Sequence, residues 1–445
     1  MSASPGVHPP TTDGPAALDH RCIVVEGGVP LHGTVVIGGS KNAALPILAA
    51  CLLTPEPCTI TNLPDIEDIH TMLEVLRTLG TEVERLDRHT VRVRAGTITN
   101  TRVPRSLGKR MRASFLVVGP LLARVGRAEA PHPGGCALGM RPVNVDVHGF
   151  RRMGARVVQE DDFYHASAER LHGERVYLDY PSHTGTENLL MAACGAEGVT
   201  TIRHASIEPE VADLATFLQR MGAHIAGVGS STLVVVGGRP LHGATYRVMP
   251  DRLAAGTFLI AGVISGGEVR VVDVVPEHLE PVTYKLREAG ARVEEGPDWV
   301  LAAAPPGGLR SVDVQAIHYP GFPTDLQAAF AALLTQACGT SIVHERVFEN
   351  RLEYAAELRA MGARIAVDAS GQRARIDGPV RLRGGAVVSA RDIRGGAAVV
   401  LAALAAEGQT VIRDAYHLDR GYEDLVGTLA RLGARIRRVV PEWVR

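Results

Sequence analysis

Six stretches of the chain are apolar at nearly every position, and each follows a short polar or turn-forming segment. They are SKNAALPILAACLL, MRASFLVVGPLLA, GTENLLMAACGA, DRLAAGTFLIAGVI, TDLQAAFAALL and DIRGGAAVVLAALAA. A helix that is apolar on all sides is buried in protein rather than placed at a surface. Short alternating segments such as CTITNL, VRVVDV and TVIRDA follow most of them and predict strands. The pattern predicts buried helices surrounded by sheet.

A second motif marks the end of another helix in each unit. Its glycines are Gly80 in LRTLGTEV, Gly154 in FRRMGARV, Gly222 in LQRMGAHI, Gly290 in LREAGARV, Gly362 in LRAMGARI and Gly433 in LARLGARI, spaced by 74, 68, 68, 72 and 71 residues. Glycine after a helix takes the left-handed conformation without a Cβ penalty. We therefore predict six α/β units of about 70 residues, three in each of two lobes. A solenoid is the structural alternative, but its common repeats are shorter.

The first turns of the six buried helices carry polar residues at matching places. These are Lys41, Arg112, Thr186, Arg252, Asp325 and Arg394. If the helices of each lobe run alike, their N-termini converge on one face. Helix N-termini attract anions through free N–H groups and the helix dipole. Two such faces across a cleft predict a site for a small, multiply charged anion.

Composition narrows the class of partner. Lys plus Arg number 47 and Asp plus Glu 48, so bulk charge does not favour nucleic acid or a membrane surface. No apolar run is long enough to predict a membrane span.

Only three of the basic residues are Lys (Lys41, Lys109 and Lys285), so a retained Lys can mark a place that needs a compact ammonium. Residues 1–20 lack a signal-peptide pattern and predict a disordered leader. Six cysteines without CxxC spacing favour the reducing cytoplasm.

Several side chains are candidates for chemistry. Asp325 stands among cations, either as a helix N-cap or as a general base. Cys136 lies with Arg141 on a loop rich in Gly and Pro, PHPGGCALGMRPVNVDVHG, which predicts a mobile lid with a reactive thiol near Arg112 and Arg124, or an inert surface thiol. The other five cysteines are predicted to be structural. The histidines lack metal-site spacing, and no dinucleotide or P-loop motif occurs.

In combination, six motifs resemble the UDP-N-acetylglucosamine 1-carboxyvinyltransferase family. They are SKNAALP, KRMRASFLVVGPLLAR, PGGCALGMRPVNVD, FPTDLQA, VFENR and HLDRGYE, and the resemblance covers residues 23–438. It implies a two-lobed, inside-out α/β barrel architecture of six βαβαββ repeats. The chain would cross between lobes near Ser40–Lys41 and Met249–Pro250. Lobe one would then combine residues 21–41 with 250–445, and lobe two would be residues 42–249 with the Cys136 loop.

The resemblance also implies a reaction without a metal or organic cofactor. The enolpyruvyl group of phosphoenolpyruvate would pass to the 3-hydroxyl of UDP-N-acetylglucosamine with release of phosphate, the first committed step of peptidoglycan synthesis. The implied catalytic residues are Cys136, which would also form a pyruvate adduct and react with fosfomycin, together with Asp325, Lys41 and Arg420. Phosphoenolpyruvate would contact Lys41, Asn42, Arg141, Arg351, Arg394 and Arg420. The nucleotide would contact Arg112, Arg141, Pro142, Val143, Asn144, Val145, Tyr180, Ser182, His183, Asp325 and Val347.

The chain departs from the family pattern on the nucleotide side. The residues from Ser182 to Thr186 read SHTGT where SVGAT is usual, RPVNVDVH replaces the commoner RPVDLH, and Tyr319 stands where His is common. These departures leave open an enolpyruvyl transferase for shikimate 3-phosphate or another nucleotide. An inactive paralogue that binds a sugar nucleotide is a further alternative. The sequence leaves the oligomeric state open.

Overall fold

The computed structural model describes residues 22–134 and 143–440. The predicted leader and most of the predicted Cys136 lid lie outside these residues. The helices are α1 (Lys41–Ala50), α2 (Glu67–Thr78), α3 (Arg105–Arg110), α4 (Val118–Val125), α5 (Asn144–Arg152), α6 (His183–Gly195), α7 (Pro209–Arg220), α8 (Arg252–Ile264), α9 (Glu280–Glu288), α10 (Thr324–Leu334), α11 (Tyr354–Ala360), α12 (Ile393–Ala405), α13 (Tyr416–Asp419) and α14 (Leu425–Arg431), with 3-10 turns at Cys51–Leu53, Arg112–Val117 and Pro276–Leu279.

Short strands alternate with these helices along the chain. They are β1 (Cys22–Glu26), β2 (His32–Val36), β3 (Pro57–Thr61), β4 (Glu82–Asp87), β5 (Thr90–Arg94), β6 (Arg127–Pro131), β7 (Arg156–Glu160), β8 (Phe163–Ser167), β9 (Arg175–Tyr177), β10 (Val199–Arg203), β11 (His224–Ala226), β12 (Thr232–Val236), β13 (Thr245–Arg247), β14 (Glu268–Val272), β15 (Arg292–Glu295), β16 (Trp299–Ala303), β17 (Leu309–Arg310), β18 (Val314–Ala316), β19 (Ala337–Glu345), β20 (Arg364–Val367), β21 (Arg373–Gly378), β22 (Val387–Ser389), β23 (Gln409–Arg413) and β24 (Arg435–Val439).

Within the described residues the strands form six small sheets, one for each predicted unit. Their orders are β13-β3-β5-β4, β6-β8-β7, β11-β12-β10-β9, β15-β16-β14-β2, β17-β19-β21-β20 with β18 beside β19, and β22-β23-β1-β24. One unit runs β18, α10, β19, α11, β20, β21, with β18 parallel and β21 antiparallel to β19. The predicted α/β class with βαβαββ units is confirmed.

The repeated glycines end helices as predicted. All six have φ between 95° and 104°, a region that only glycine enters without a Cβ clash. The backbone N–H of the residue after the glycine turns back to the helix, as Ala155 does to Phe150 and Ala363 to Leu358. The motif therefore fixes where each helix stops and its strand begins.

Buried side chains form two separate cores. One draws on residues 23–37 and 253–434, and α8, α10 and α12 pack on one another within it. The other draws on residues 43–249, and α4 packs on α6 within it. The helices α8 and α12 are buried on nearly all faces, which matches their apolar sequences. We use core one and core two for these bodies below.

The two connections between the cores lie side by side. Ser40 N donates to Met249 O at 2.7 Å, and Asp251 N donates to Gly38 O at 2.9 Å. A Cβ on Gly39 would lie 1.7 Å from Asn62 O, so this crossing needs a glycine. The predicted lobe boundaries stay predictions, and these paired segments and separate cores are the observations that support them.

Candidate active site

A cavity of about 520 Å³ lies where helices from both cores begin. Lys41 and Asn42 begin α1, and Arg112 begins the 3-10 turn before α4. The other first-turn residues that line it are Ser182, His183 and Thr184 at α6, Arg252 and Leu253 at α8, Thr324 and Asp325 at α10, and Asp392, Ile393 and Arg394 at α12. All six predicted helix starts therefore face one cavity, although Thr186 itself is enclosed below it.

Polar side chains fix four of these helix starts. Ser40 Oγ accepts from Ala43 N at 3.4 Å, and Ser182 Oγ accepts from Gly185 N at 3.1 Å. Asp251 accepts from Leu253 N and Ala254 N, and Asp392 accepts from Arg394 N and Gly395 N. Such caps satisfy donors that the helix leaves unpaired, and they fix the direction of the first turn.

Asp325 is held between two arginines. Arg351 Nη2 lies 2.7 Å from Asp325 Oδ1, and Arg394 Nε lies 2.9 Å from Oδ2. The N-cap position of α10 belongs to Pro323, so the N-cap alternative for Asp325 is wrong. Burial raises the pKa of Asp325, but Arg394, Arg351 and Lys41 outweigh it and hold the pKa well below its usual range.

The same arginines have donor capacity left. Both terminal nitrogens of Arg394 and Nε of Arg351 are enclosed and have no hydrogen-bond partner among residues 22–134 and 143–440. Enclosed donors without a partner are rare, because each loses its hydration without compensation. Two guanidinium groups that share one carboxylate can accept a second anion in the cavity.

Lys41 and Arg420 are joined by a residue that the sequence did not single out. Asp68, in the first turn of α2, receives Lys41 Nζ at 3.3 Å and Arg420 Nε at 3.0 Å. Arg420 does not line the cavity directly and reaches it through this bridge. Sequence reasoning missed Asp68 because an acid at the start of a helix is ordinary.

A cluster of acids and cations flanks the other end of the cavity. Arg252 pairs with Glu208 at 2.5 Å and with Glu210 at 3.0 Å. Burial lowers the pKa of Arg252, but Glu210 and Glu208 outweigh it and raise that pKa. Tyr319 belongs to the same cluster, since its backbone N donates to Glu208 and its ring lies 5.5 Å from the Arg252 guanidinium carbon.

The remaining predicted nucleotide residues divide between the cavity and its surroundings. Tyr180 and Val347 line the cavity. Val143 lines a smaller void beneath it with Arg112 and Asp146. Asn144 is exposed and Val145 is buried, and neither lines the main cavity. The structure therefore brings together ten of the predicted residues: Lys41, Asn42, Arg112, Tyr180, Ser182, His183, Asp325, Val347, Arg351 and Arg394.

Three predicted residues, Cys136, Arg141 and Pro142, lie outside the described residues. Arg124, which the sequence places near Cys136, donates its guanidinium to Leu52 O, Thr54 O and Gly96 O. Its proximity to Cys136 stays a prediction. Cys338 was expected to be structural but is exposed, whereas the other four described cysteines are buried. An apolar stretch alone does not tell a buried strand position from an exposed one.

Comparison with protein families decides the relationship. The model of the EPSP synthase (3-phosphoshikimate 1-carboxyvinyltransferase) family matches residues 25–429. The chain belongs to this family. The match spans both cores and includes all six helix starts at the cavity. It ends within α14.

Two curated members of the family are similar over nearly the whole chain. UDP-N-acetylglucosamine 1-carboxyvinyltransferase of Halorhodospira halophila is 47% identical over 417 residues, 94% of this chain and 99% of that protein. The protein of the same name from Solibacter usitatus is 48% identical over 417 residues, which again cover 94% of this chain and 99% of that protein.

Solved structures of family members agree in fold. The enolpyruvyl transferase NikO from Streptomyces tendae has a TM-score of 0.86 at 30% identity, covering 94% of this chain and 99% of its own. EPSP synthase from Acinetobacter baumannii has a TM-score of 0.72 at 18% identity, which shows the fold alone.

No helix in residues 22–134 or 143–440 has both the length and the apolar character needed to cross a bilayer. In the same part of the chain, His, Cys, Asp and Glu side chains form no group of three or more suited to hold a metal ion.

Proposed function

We propose that this protein transfers the enolpyruvyl group of phosphoenolpyruvate to the 3-hydroxyl of UDP-N-acetylglucosamine and releases phosphate. The observation that carries the proposal is Asp325, held between Arg351 and Arg394 at the floor of a cationic cavity built from six helix starts. The names of the relatives that are 47% and 48% identical support the nucleotide acceptor. The step would begin peptidoglycan precursor synthesis in the cytoplasm.

Phosphoenolpyruvate carries a carboxylate and a phosphate, and the cavity offers cations for both. The unpartnered nitrogens of Arg351 and Arg394 suit the carboxylate. Lys41, at the start of α1, suits the phosphate as a compact charge, together with Arg420 and Arg141. Asn42 beside it adds a neutral side chain that lines the same cavity. A cationic cradle set before the reaction stabilises charge without reorganisation.

Asp325 is the proposed base that takes the proton from the sugar hydroxyl. In the unliganded arrangement two guanidinium groups hold its pKa low and make it a weak base. An incoming carboxylate would share Arg351 and Arg394 with Asp325 and weaken their hold on it. Because less positive charge then remains for Asp325, its pKa rises and the proton transfer becomes more favourable.

The chemistry needs an acid as well as a base. The hydroxyl oxygen bonds to C2 of phosphoenolpyruvate while C3 gains a proton. Phosphate then leaves C2 and C3 loses a proton, which restores the double bond. We assign the proton donor at C3 to Cys136 by its place in the PGGC motif, with a covalent pyruvate adduct as a second outcome of the same thiol.

The acceptor nucleotide is assigned to the part of the cavity around the start of α6. Ser182 and His183 line the cavity at that helix start, and Arg112, Tyr180 and Val347 line the same cavity. The segment from Arg141 to Val145 is assigned to the nucleotide by its motif alone. The nucleotide side shows the departures from the family pattern, so the choice of acceptor is the part of the proposal that most needs a test.

The decisive experiment is phosphate release with a choice of acceptor. Purified protein and phosphoenolpyruvate should release phosphate when UDP-N-acetylglucosamine is added. Release with shikimate 3-phosphate instead would replace the proposal by the shikimate alternative. No release with either acceptor, together with measurable binding of the sugar nucleotide, would favour the inactive paralogue.

The Cys136 assignment has its own test. Fosfomycin should inactivate the protein by alkylating Cys136, and Cys136→Asp should resist the drug while it keeps a proton donor and turnover. Alkylation of Cys136→Asp at the wild-type rate would place the reactive thiol elsewhere. Cys338→Ser, which removes an exposed thiol on β19, is the matched control and should stay sensitive.

A further inference from the structure

The first turn of α6 carries a histidine where the family pattern has an apolar residue. His183 lines the cavity, and about 26% of its side chain is exposed. Glu187 lies one helical turn further on and is only 1% exposed. His183 Nε2 and Glu187 Oε1 are 3.0 Å apart, which is an ion-pair distance.

Glu187 depends on His183 for its counter-charge. Within residues 22–134 and 143–440 no other cation lies within ion-pair distance of Glu187. Arg252 is already engaged by Glu208 and Glu210. A buried carboxylate without a cation is costly, so the protonated imidazole is the form that this site favours.

The electrostatics agree with the geometry. Burial lowers the pKa of His183, but the charges of Glu187, Glu210 and Glu208 outweigh it and raise the pKa to about 9. Burial likewise raises the pKa of Glu187, and His183 opposes that rise. The raised pKa of His183 and its position beside Glu187 both favour an imidazolium at neutral pH.

The imidazolium is turned so that one edge remains available. Nε2 is enclosed and faces Glu187, so the exposed part of the side chain belongs to the rest of the ring, which carries Nδ1. Ser182 and Thr184 line the cavity on either side. The first backbone N–H groups of α6 point the same way, as they do at any helix start.

We propose that His183 is a specificity-determining residue of the acceptor site, where its imidazolium binds the diphosphate of a nucleotide sugar and Glu187 holds it in place. This inference rests on the proposed function, since it assumes an acceptor with a diphosphate. The His183 side chain would then do what the valine that is usual at this position cannot do, because valine carries no charge. The carboxylates of Glu187, Glu208 and Glu210 would otherwise repel a diphosphate at this end of the cavity.

The pH dependence follows from the charges around the ring. Glu187 on α6, Glu208 and Glu210 at the start of α7, and His318 before α10 act on the ring directly. Around these groups, Asp146 on α5 acts on Glu187, His204 after β10 acts on His318, and Arg252 on α8 pairs with Glu208 and Glu210. As pH rises through about 9, His183 loses its proton and its attraction for the diphosphate. Nucleotide affinity should fall in that range.

The test compares His183→Gln and Glu187→Gln with wild type, with UDP as the binding probe. Near neutral pH, His183→Gln should weaken UDP binding and raise KM for UDP-N-acetylglucosamine by about tenfold, since one charge-assisted contact is lost. KM for phosphoenolpyruvate should not change. His224→Gln, an exposed histidine on β11, is the matched control and should behave as wild type.

The pH profile separates a ligand from a structural residue. The difference in UDP affinity between wild type and His183→Gln should vanish well above pH 9, because His183 is then neutral. The uracil ring of UDP titrates equally in both measurements, so its effect cancels in the difference. In Glu187→Gln the loss of UDP affinity should begin at lower pH. Without the negative charge of Glu187, burial lowers the pKa of His183, so the ring loses its proton earlier as pH rises. Thermal unfolding of each variant shows whether the fold is kept.

The outcomes distinguish this inference from the proposed function. Wild-type turnover with UDP-N-acetylglucosamine, combined with equal UDP affinity of His183→Gln and wild type, would overturn the role of His183 alone. A difference in affinity that does not change with pH would also overturn it. A wild-type protein that neither binds UDP nor releases phosphate with the sugar nucleotide would overturn both.

Discussion

At the scale of single residues, the site is governed by carboxylates that share cations. Asp325 takes one bond from each of Arg351 and Arg394 and leaves other nitrogens of both unpartnered within the described residues. Asp68 likewise takes one bond from each of Lys41 and Arg420. Each carboxylate holds two cations in place, so an anionic substrate finds them already positioned.

Asp325→Asn tests the proposed base. The amide keeps the size of the side chain but cannot take a proton, so kcat should fall by about 10²–10⁴-fold. KM for phosphoenolpyruvate should stay the same or fall, because a competitor for the two arginines loses its charge. Steady-state kinetics with both substrates varied measures both quantities. A loss of kcat below about tenfold would remove Asp325 from the proton transfer.

The depressed pKa of Asp325 also has a consequence for stability. Its carboxylate contributes to the free energy of unfolding above its unfolded-state pKa of about 3.9, and the contribution is lost as pH falls below that value. The stability difference between wild type and Asp325→Asn, measured by denaturant unfolding, should therefore shrink in strong acid.

Lys41→Ala should abolish turnover while the fold is kept. The ammonium is mostly enclosed between α1 and Asp68, and alanine leaves no cation at this position. Lys285→Ala is the matched control, since Lys285 is paired with Glu288 on α9. Circular dichroism checks the fold and phosphate release checks turnover. Normal turnover of Lys41→Ala would show that Lys41 lies outside the working site.

At the scale of elements, helix caps aim the reactive side chains. Asp392 caps α12 through Arg394 N and Gly395 N, so the same residue that starts the helix also sets the backbone of Arg394. Ser182 sets the first turn of α6 in the same way through Gly185 N. Apolar helices buried on all faces then hold these first turns against the cavity.

Asp392→Ala tests whether the cap of α12 also positions Arg394 in the site, in addition to stabilising the helix. Loss of the cap should lower the free energy of unfolding by about 0.5–2 kcal/mol. KM for phosphoenolpyruvate should rise as well, because Arg394 loses its fixed backbone. Asp424→Ala removes a comparable cap from α14, at Gly427 N, and should lower stability without changing KM. Equal KM values for the two variants would contradict the positioning role of Asp392.

At the scale of the whole molecule, the site exists only where the two cores meet. Asp68 belongs to α2 of core two, whereas Arg420 follows α13 in core one, and their side chains bond across the junction. Glu423 adds a contact there by accepting from Asp65 N at 3.2 Å. The cations proposed to bind phosphate therefore depend on the relative position of the cores.

Asp68→Asn should loosen this junction at the site. We expect kcat/KM for phosphoenolpyruvate to fall by about 10–100-fold, since hydrogen bonds to two charged groups are weakened. Asp68→Glu, which restores the charge, should recover part of the loss. Glu74→Gln on the same helix affects only an exposed pair with Arg110 and should leave kinetics unchanged. A wild-type kcat/KM in Asp68→Asn would show that Lys41 and Arg420 need no bridge.

The sequence by itself determined the repeat and the helix starts. Apolar stretches and left-handed glycines act locally, so Gly80 and Gly362 could be placed at helix ends from their neighbours alone. The polar first turns, with Lys41, Asp325 and Arg394 among them, followed from the same pattern. Their convergence was predicted because repeated units place equivalent residues in equivalent positions.

Only the tertiary structure decided which charges meet. Asp68 and Arg420 are 352 residues apart in sequence, and nothing local to either one indicates the other. The sequence left Asp325 as either a cap or a base, and only the structure placed Pro323 at the N-cap and Asp325 between Arg351 and Arg394. Its role as the base stays a proposal. Pairing across distant segments depends on how the units fold against each other, because ion pairs depend on separation in space and not along the chain.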